Sequence, residues 1–286
     1  SLARAASAAS LEGFNAFVDQ VLGTSHVRGA FFGNYSVTDV RGVYELLSTA
    51  VSASASARYA RSNIYAPKPA TTLLLNREVP VEDLGMLYAF AAPEARVKNQ
   101  ALRQILARHL RVRAFETLRT EEQLGYAAGG GALDLYKHPM VILYIQTPVK
   151  GPQEMLDRFT AYTEEYRDEL AALPEASFEK FKAGVLTALT EPPKNLSAEA
   201  GPFVSDWAIE HYDFDTRAKL IAAVNAATLQ DVQRFYEETV FSEASSRIVI
   251  QLRGKRYSER PFATVDGGVV IDDIDKFHND MPVQAR

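Results

Sequence analysis

Near Gly151 the hydrophobic pattern switches to a sustained helical period, and that switch limits the folds open to this chain. Before it lie short apolar runs of strand character around one long helical stretch. TTLLLNREV and LGMLYAFAA read as two strands joined by a short polar connection at Pro80 to Asp83. Arg96 to Thr120 carries a helical pattern, from Val97 through Leu102, Ile105, Leu106 and Leu110 to Leu118. EQLGYAAGGGALDLY and PMVILYIQTP read as a second strand pair. After Gly151 the period is helical, with helices expected at 152–173, 174–190, 197–212, 215–226 and 228–240. Pro152, Ser197 ahead of Glu199, and Thr228 ahead of Asp231 supply start signals. SRIVIQLRG closes the series as an alternating strand. Hairpin-joined strands followed by grouped helices predict an α+β fold: a mixed, mostly antiparallel sheet covered by a helical layer.

The front of the chain has a different rhythm. Leu11 to Leu22 is helical in spacing, VRGAFFGNYS reads as a buried strand running into a Gly-Asn turn, and Val37 to Ser54 is helical again. SASASARYARSNIYAPKPA is rich in Ser, Ala and Pro and reads as a linker. The expected organisation is therefore residues 1–66 as the tail of a preceding unit plus linker, and 67–286 as a complete C-terminal α+β domain. SLARAASAAS lacks the apolar core of a signal peptide and reads as linker. Beyond Arg256 the sequence turns polar, and GGVVIDDIDKF is expected to pack back on the body.

Composition removes several function classes. The net charge of −5 provides no global basic field, so neither nucleic acid nor a membrane surface is an expected partner. The absence of cysteine excludes thiolate metal sites and a cysteine nucleophile. No apolar run approaches the roughly 18 residues of a membrane span. His26, His109, His138, His211 and His278 fall in neither H-E-x-x-H nor H-x-x-E-H spacing, so no metal site is expected in this chain. His109 reads as a structural helix residue. No serine sits in a G-x-S-x-G elbow. TEEYRDE and IDDIDKF read as solvated faces or caps, and Trp207 as core or domain interface. The triplet Gly129 to Gly131 opens no helix and lacks the Lys and Ser/Thr of a phosphate loop. It reads as a bulged or flexible strand that another backbone can approach.

The remaining candidate is LRTEEQLGY. Arg119 falls in the last turn of the long helix, where the dipole favours a cation, so capping is one reading. Tyr126 follows Gly125 at the start of a strand, seven residues on. A helix-to-strand corner of that length can aim a guanidinium and a phenol at one point, and both suit a peptide carbonyl or a developing oxyanion.

FETLRTEEQLGY resembles the C-terminal-half signature of the pitrilysin/insulinase family of zinc metallopeptidases. EPPKNLSAEA resembles the family's loop between helices, HYDFDTR its following turn, and VRGAFFGNYS the strand and glycine turn that end the preceding homologous domain. The agreement covers residues 14–255. The resemblance implies four homologous α+β domains in two halves that close around a chamber, with zinc held by H-x-x-E-H in the first domain. It implies that this chain is the non-zinc C-terminal half, inactive alone, with the N-terminal half of the same protein and peptide substrates as partners. Homo-oligomers are compatible with it. On the matched positions, Tyr126 would donate to the scissile carbonyl or oxyanion, and Arg119 would hold the substrate backbone or orient Tyr126. A periplasmic home is implied by the bacterial members, with the cytoplasm as alternative. The rival of another class is a catalytically dead scaffold, or a peptide-binding subunit, on the same fold. Gly129 to Gly131 depart from the bulkier residues expected of relatives.

Overall fold

The architecture comes from a computed structural model that describes residues 6–25, 27–51, 64–65, 68–135, 138–280 and 283–284. In chain order its elements are α1 (Leu11–Thr24), α2 (Val37–Ala50), β1 (Ile64–Tyr65), β2 (Thr72–Glu78), β3 (Leu84–Ala91) and α3 (Val97–Ala114). A π-helix (Phe115–Glu121) leads to β4 (Ala127–Leu135) and β5 (His138–Thr147). The helices α4 (Pro152–Ala171), α5 (Glu175–Thr190), α6 (Leu196–Ala208), α7 (Thr216–Ala226) and α8 (Leu229–Val240) follow. Then come β6 (Ser246–Arg253), β7 (Val269–Val270), α9 (Ile274–Asp280) and β8 (Val283–Gln284). The chain divides into two compact units, residues 1–63 with 193–208, and residues 64–192 with 209–286.

In the first unit, Ser36 and Asp39 close a capping box that starts α2. The segment expected as a strand at 27–35 forms no ladder among the described residues. β-propensity without a partner strand cannot satisfy the backbone, so the run stays irregular. Most of the Ser/Ala-rich linker lies outside the described residues. Phe32 stacks on Phe203 of α6, and Arg28 lies 5.1 Å over Trp207.

The second unit carries the α+β fold: a six-stranded mixed sheet in the order β4-β5-β3-β6-β2-β7, with helices on one face. The fold class expected from the sequence is the one present. The first strand pair is not a hairpin, however. β6 inserts between β2 and β3, running parallel to β2 (Leu74 beside Val249) and antiparallel to β3 (Tyr88 beside Val249). A parallel neighbour needs a long crossover, and the intervening helices provide it. The second pair, β4 and β5, is the antiparallel hairpin expected. GGVVIDDIDKF does return to the body, where Val269 and Val270 pair with Leu73 and Leu74 at the sheet edge.

Alternation sorts the strands into two faces. The row Leu74, Val249, Tyr88, Leu143 is buried beneath α3, α4 and α8. The next row, Leu75, Ile250, Leu87, Tyr144, is only partly covered, and Tyr144 is 40% exposed. One sheet face is thus helix-covered core and the other is apolar and accessible.

The glycine triplet follows the same alternation. Gly130 pairs with Leu143 on the helix side, where a Cβ would come within 2.7 Å of Leu110 Cγ in α3. Gly129 pairs with Tyr144 on the other face, and a Cβ there would meet the tyrosine hydroxyl at 3.1 Å. Two of the three glycines therefore serve close approach, one toward a helix and one toward a cross-strand aromatic.

Candidate functional site

The site is built at the corner where α3 ends. The helix does not stop at Ala114 but widens into the π-helix, as the Glu122 N–H donating to the Thr117 carbonyl at 3.0 Å shows. Such wide turns are uncommon and recur at functional sites, because they re-aim side chains that regular pitch would stack elsewhere. Arg119 therefore lies in the last turn of a π-helix rather than of an α-helix.

The chain then turns into β4 through a corner fixed from several sides. Gln123 takes a left-handed conformation with φ of 51°, which costs a non-glycine residue about 1 kcal/mol. Leu124 is buried, its N–H donating to the Leu118 carbonyl at 3.0 Å and its own carbonyl accepting from the Thr147 hydroxyl. Gly125 passes so near β5 that a Cβ would sit 2.0 Å from the Gln146 carbonyl oxygen, so no other residue fits without moving the backbone. Glu122 accepts from Arg158 of α4 (Nε to Oε2, 2.9 Å), and Arg158 also reaches Glu165 at 2.8 Å. Hydrogen bonds from Arg158 to Glu122 hold its guanidinium above the ordinary arginine range, against the desolvation of its partly buried position. Part of TEEYRDE thus serves as an ion-pair anchor for this corner rather than as a plain solvated face.

Out of this anchored corner project the two residues singled out in the sequence. Tyr126 stands one residue before β4 and is 82% exposed. The Arg119 guanidinium lies 4.9 Å from the Tyr126 ring centre and 4.8 Å from that of Phe115. The structure thus brings Arg119 and Tyr126 together and adds Phe115, which the sequence reading did not select. Its signal was available: Phe115 is four residues before Arg119 on a helical stretch. A cation held against two rings contributes about 0.5–1 kcal/mol per contact at an exposed site. It also leaves the N–H groups at the guanidinium edge pointing away from the ring faces. The assembly can orient a phenol and present a planar donor beside it.

His109 is structural, in keeping with the sequence reading. It is 5% exposed, and its Nδ1 lies 2.9 Å from the Tyr166 hydroxyl. Burial first, and then the charge of Arg113, pushes its imidazole down to about 4.

Comparison with known proteins sets this geometry in context. The family model described as PQQ synthase PqqF-like, C-terminal lobe domain 4, matches residues 105–204 and so includes the whole corner. Protease 3 of Escherichia coli K12 is 24% identical over 172 residues, covering 60% of this chain and 18% of that protein. Human insulin-degrading enzyme is 23% identical over 248 residues, covering 81% of this chain and 23% of the enzyme. The solved structure of pitrilysin superposes with a TM-score of 0.80 at 21% identity, covering 88% of this chain and 27% of that one. A peptidase inactive domain from Pseudomonas fluorescens gives a TM-score of 0.55 at 10% identity, over 84% of this chain and 54% of that one. The fold is that of the matching domain of pitrilysin. Over residues 105–204 the chain is similar to the PqqF-like C-terminal lobe domain, and beyond that stretch to Protease 3 and insulin-degrading enzyme. It spans about a fifth of the length of the curated relatives it matches.

Among the described residues, none of the side-chain groupings fits a catalytic zinc. Among the described residues, the His/Asp/Glu group with ligand atoms within 4.8 Å of one another is His211, Asp213 and Asp215, in the turn before α7. It was not foreseen from the sequence, where His211 showed no second histidine at useful spacing. It offers one imidazole, whose Nε2 lies 2.7 Å from Asp215, and Asp215 is also held by Lys219 at 3.0 Å. The hydrogen bond from His211, and then that from Lys219, keeps the Asp215 carboxyl below its usual range. The family's H-x-x-E-H motif is absent from the sequence.

Proposed function

We propose that this chain supplies the substrate grip of a zinc endopeptidase whose zinc is held outside it, by the N-terminal half of the same protein. The observation that carries the reading is Arg119 held between Phe115 and the exposed Tyr126 on a corner tied to β5 and α4. Tyr126 donates its phenolic hydrogen to the scissile carbonyl oxygen. That hydrogen bond shortens as the oxygen gains charge in the tetrahedral state, so it lowers the barrier rather than merely binding substrate. Arg119 has two tasks. Its stacking fixes the plane of the Tyr126 ring, and its in-plane N–H groups hold a substrate backbone carbonyl. The accessible apolar face of the sheet, with Leu75, Leu87, Ile250 and Tyr144, offers an extended peptide a surface on the same domain. The parent protein is then a peptide-degrading enzyme with a closed chamber, placed in the periplasm on its likeness to bacterial relatives.

Residues 1–66 read as the tail of a preceding homologous domain plus linker, and 67–286 as the C-terminal domain. The exposed Leu11, Phe14, Phe17, Tyr44 and Leu46 of the first unit support this, since such apolar surface suits the interior of a larger domain.

The test is reconstitution. The chain is expressed with and without the N-terminal half, and cleavage of a fluorogenic peptide is followed with and without a chelator. Cleavage is expected only with both halves, and to be lost to the chelator. Cleavage by this chain alone overturns the proposal. A folded, associated pair that binds peptide without cleaving it overturns it in favour of the scaffold or peptide-binding reading.

A further inference from the structure

A cavity of about 540 Å³ lies on the helical side of the second unit, walled by α3, α5 and β4. It shares no residue with the Arg119–Tyr126 corner. Four cations line it, Arg103, Arg108 and Arg111 from α3 and Lys180 from α5, and no carboxylate is among its lining residues. The chain as a whole has more acids than bases, 36 against 31, so composition does not explain the bias. One of the four is neutralised, because Arg103 pairs with Asp134 at 2.7 Å. Among the described residues, Arg108, Arg111 and Lys180 have no ion-pair partner.

Two further observations show a built site rather than a solvated face. Arg103 is buried in the wall, and its Nε meets no acceptor among the described residues. Burial pulls this arginine below its ordinary range, and the charge of Asp134 opposes that pull. Arg108 lies against α5 at Gly184, where a Cβ would fall 2.9 Å from its Nη1. The missing side chain seats the guanidinium at the cavity. Apart from the amide of Gln104 the rest of the lining is apolar, with Phe181 and Val185 on the α5 side. Its volume is within the usual 300–1,000 Å³ of small-molecule sites.

We propose that this cavity binds an organic polyanion: a flat apolar body against Phe181 and Val185, carrying phosphate or carboxylate oxygens that the three unpaired cations grip. Arginine forks suit both oxyanions bidentately. The site is independent of the proposed peptidase role, and its test does not use activity. Naphthyl phosphate, naphthalene dicarboxylate and uncharged naphthol are titrated into the full chain by calorimetry at fixed ionic strength, with the variant Arg108→Gln/Arg111→Gln alongside. At least one of the two anions is expected to bind at one site per chain, with naphthol not binding. The tighter anion then identifies the natural head group. The double variant is expected to weaken binding by roughly tenfold or more. Both positions are exposed, so its melting temperature should match the parent's; if it does not fold, Lys180→Glu is the replacement, with the same weakening expected. Absence of saturable binding by either anion overturns the proposal. So does naphthol binding equally well, or binding undiminished in the variant.

Discussion

Tyr126 and the glycines around it make separable claims at the scale of single residues. Tyr126→Phe removes one hydrogen and leaves the ring that stacks on Arg119, so folding should be untouched while the proposed donor is lost. The three nearby glycines should differ sharply when each becomes alanine. At Gly125 the new methyl collides with the Gln146 carbonyl at 2.0 Å, and thermal unfolding should show a loss of about 3 kcal/mol or more. At Gly130 it presses on Leu110 and Ala114, for about 1–3 kcal/mol. At Gly131 a Cβ meets nothing within 4 Å, and stability should change by no more than about 0.5 kcal/mol. Equal losses at all three would contradict the face-by-face account. The sequence shows a triplet, but alternation assigns its members to opposite faces, and only the register with β5 tells which glycine meets a helix. Arg119 and Tyr126 were legible because their residue types and spacing carry the chemistry. Phe115 was not selected, since its role depends on which side of a widened helix it occupies.

At the scale of elements, the contact between α3 and α4 predicts a pH dependence. His109 of α3 faces Tyr166 of α4, with Glu169 at 3.8 Å and Arg113 beside it. The folded protein keeps this imidazole neutral down to about 4, whereas the unfolded chain protonates it near 6.5. Between those values the unfolded state binds the extra proton, so stability is full above 6.5 and falls as the pH drops toward 4. Urea unfolding should show about 2 kcal/mol less stability at pH 5 than at pH 7, a difference reduced in His109→Gln. An imidazole that titrates near 6.5 by NMR would contradict it. Helices and strands of this unit were readable from periodicity because each buries one face. Strand order was not. The insertion of β6 between β2 and β3 is a choice among distant partners, and a short polar link between neighbours looks the same whether or not they pair. The π-helix was hidden for a related reason, since its wider repeat adds no new apolar stripe. The run at 27–35 has the composition of a strand but no described partner, and composition alone makes no ladder.

For the whole molecule, the first unit exposes Leu11, Phe14 and Phe17 on α1 with Tyr44 and Leu46 on α2. The chain alone should therefore bind an apolar dye and self-associate in light scattering, and the N-terminal half should suppress both. A monomeric chain with no dye signal would contradict the reading of residues 1–66 as the tail of a larger preceding domain. The central claim, that Tyr126 stabilises the developing oxyanion, is tested most directly in the parent protein containing both halves. The measurement is kcat and KM for one fluorogenic peptide, with Tyr126→Phe beside the unaltered protein and zinc content matched. The account predicts a fall in kcat of about 100-fold, near 3 kcal/mol of transition-state stabilisation, with KM changed little. An unchanged kcat, with the peptide cleaved as before, would contradict it.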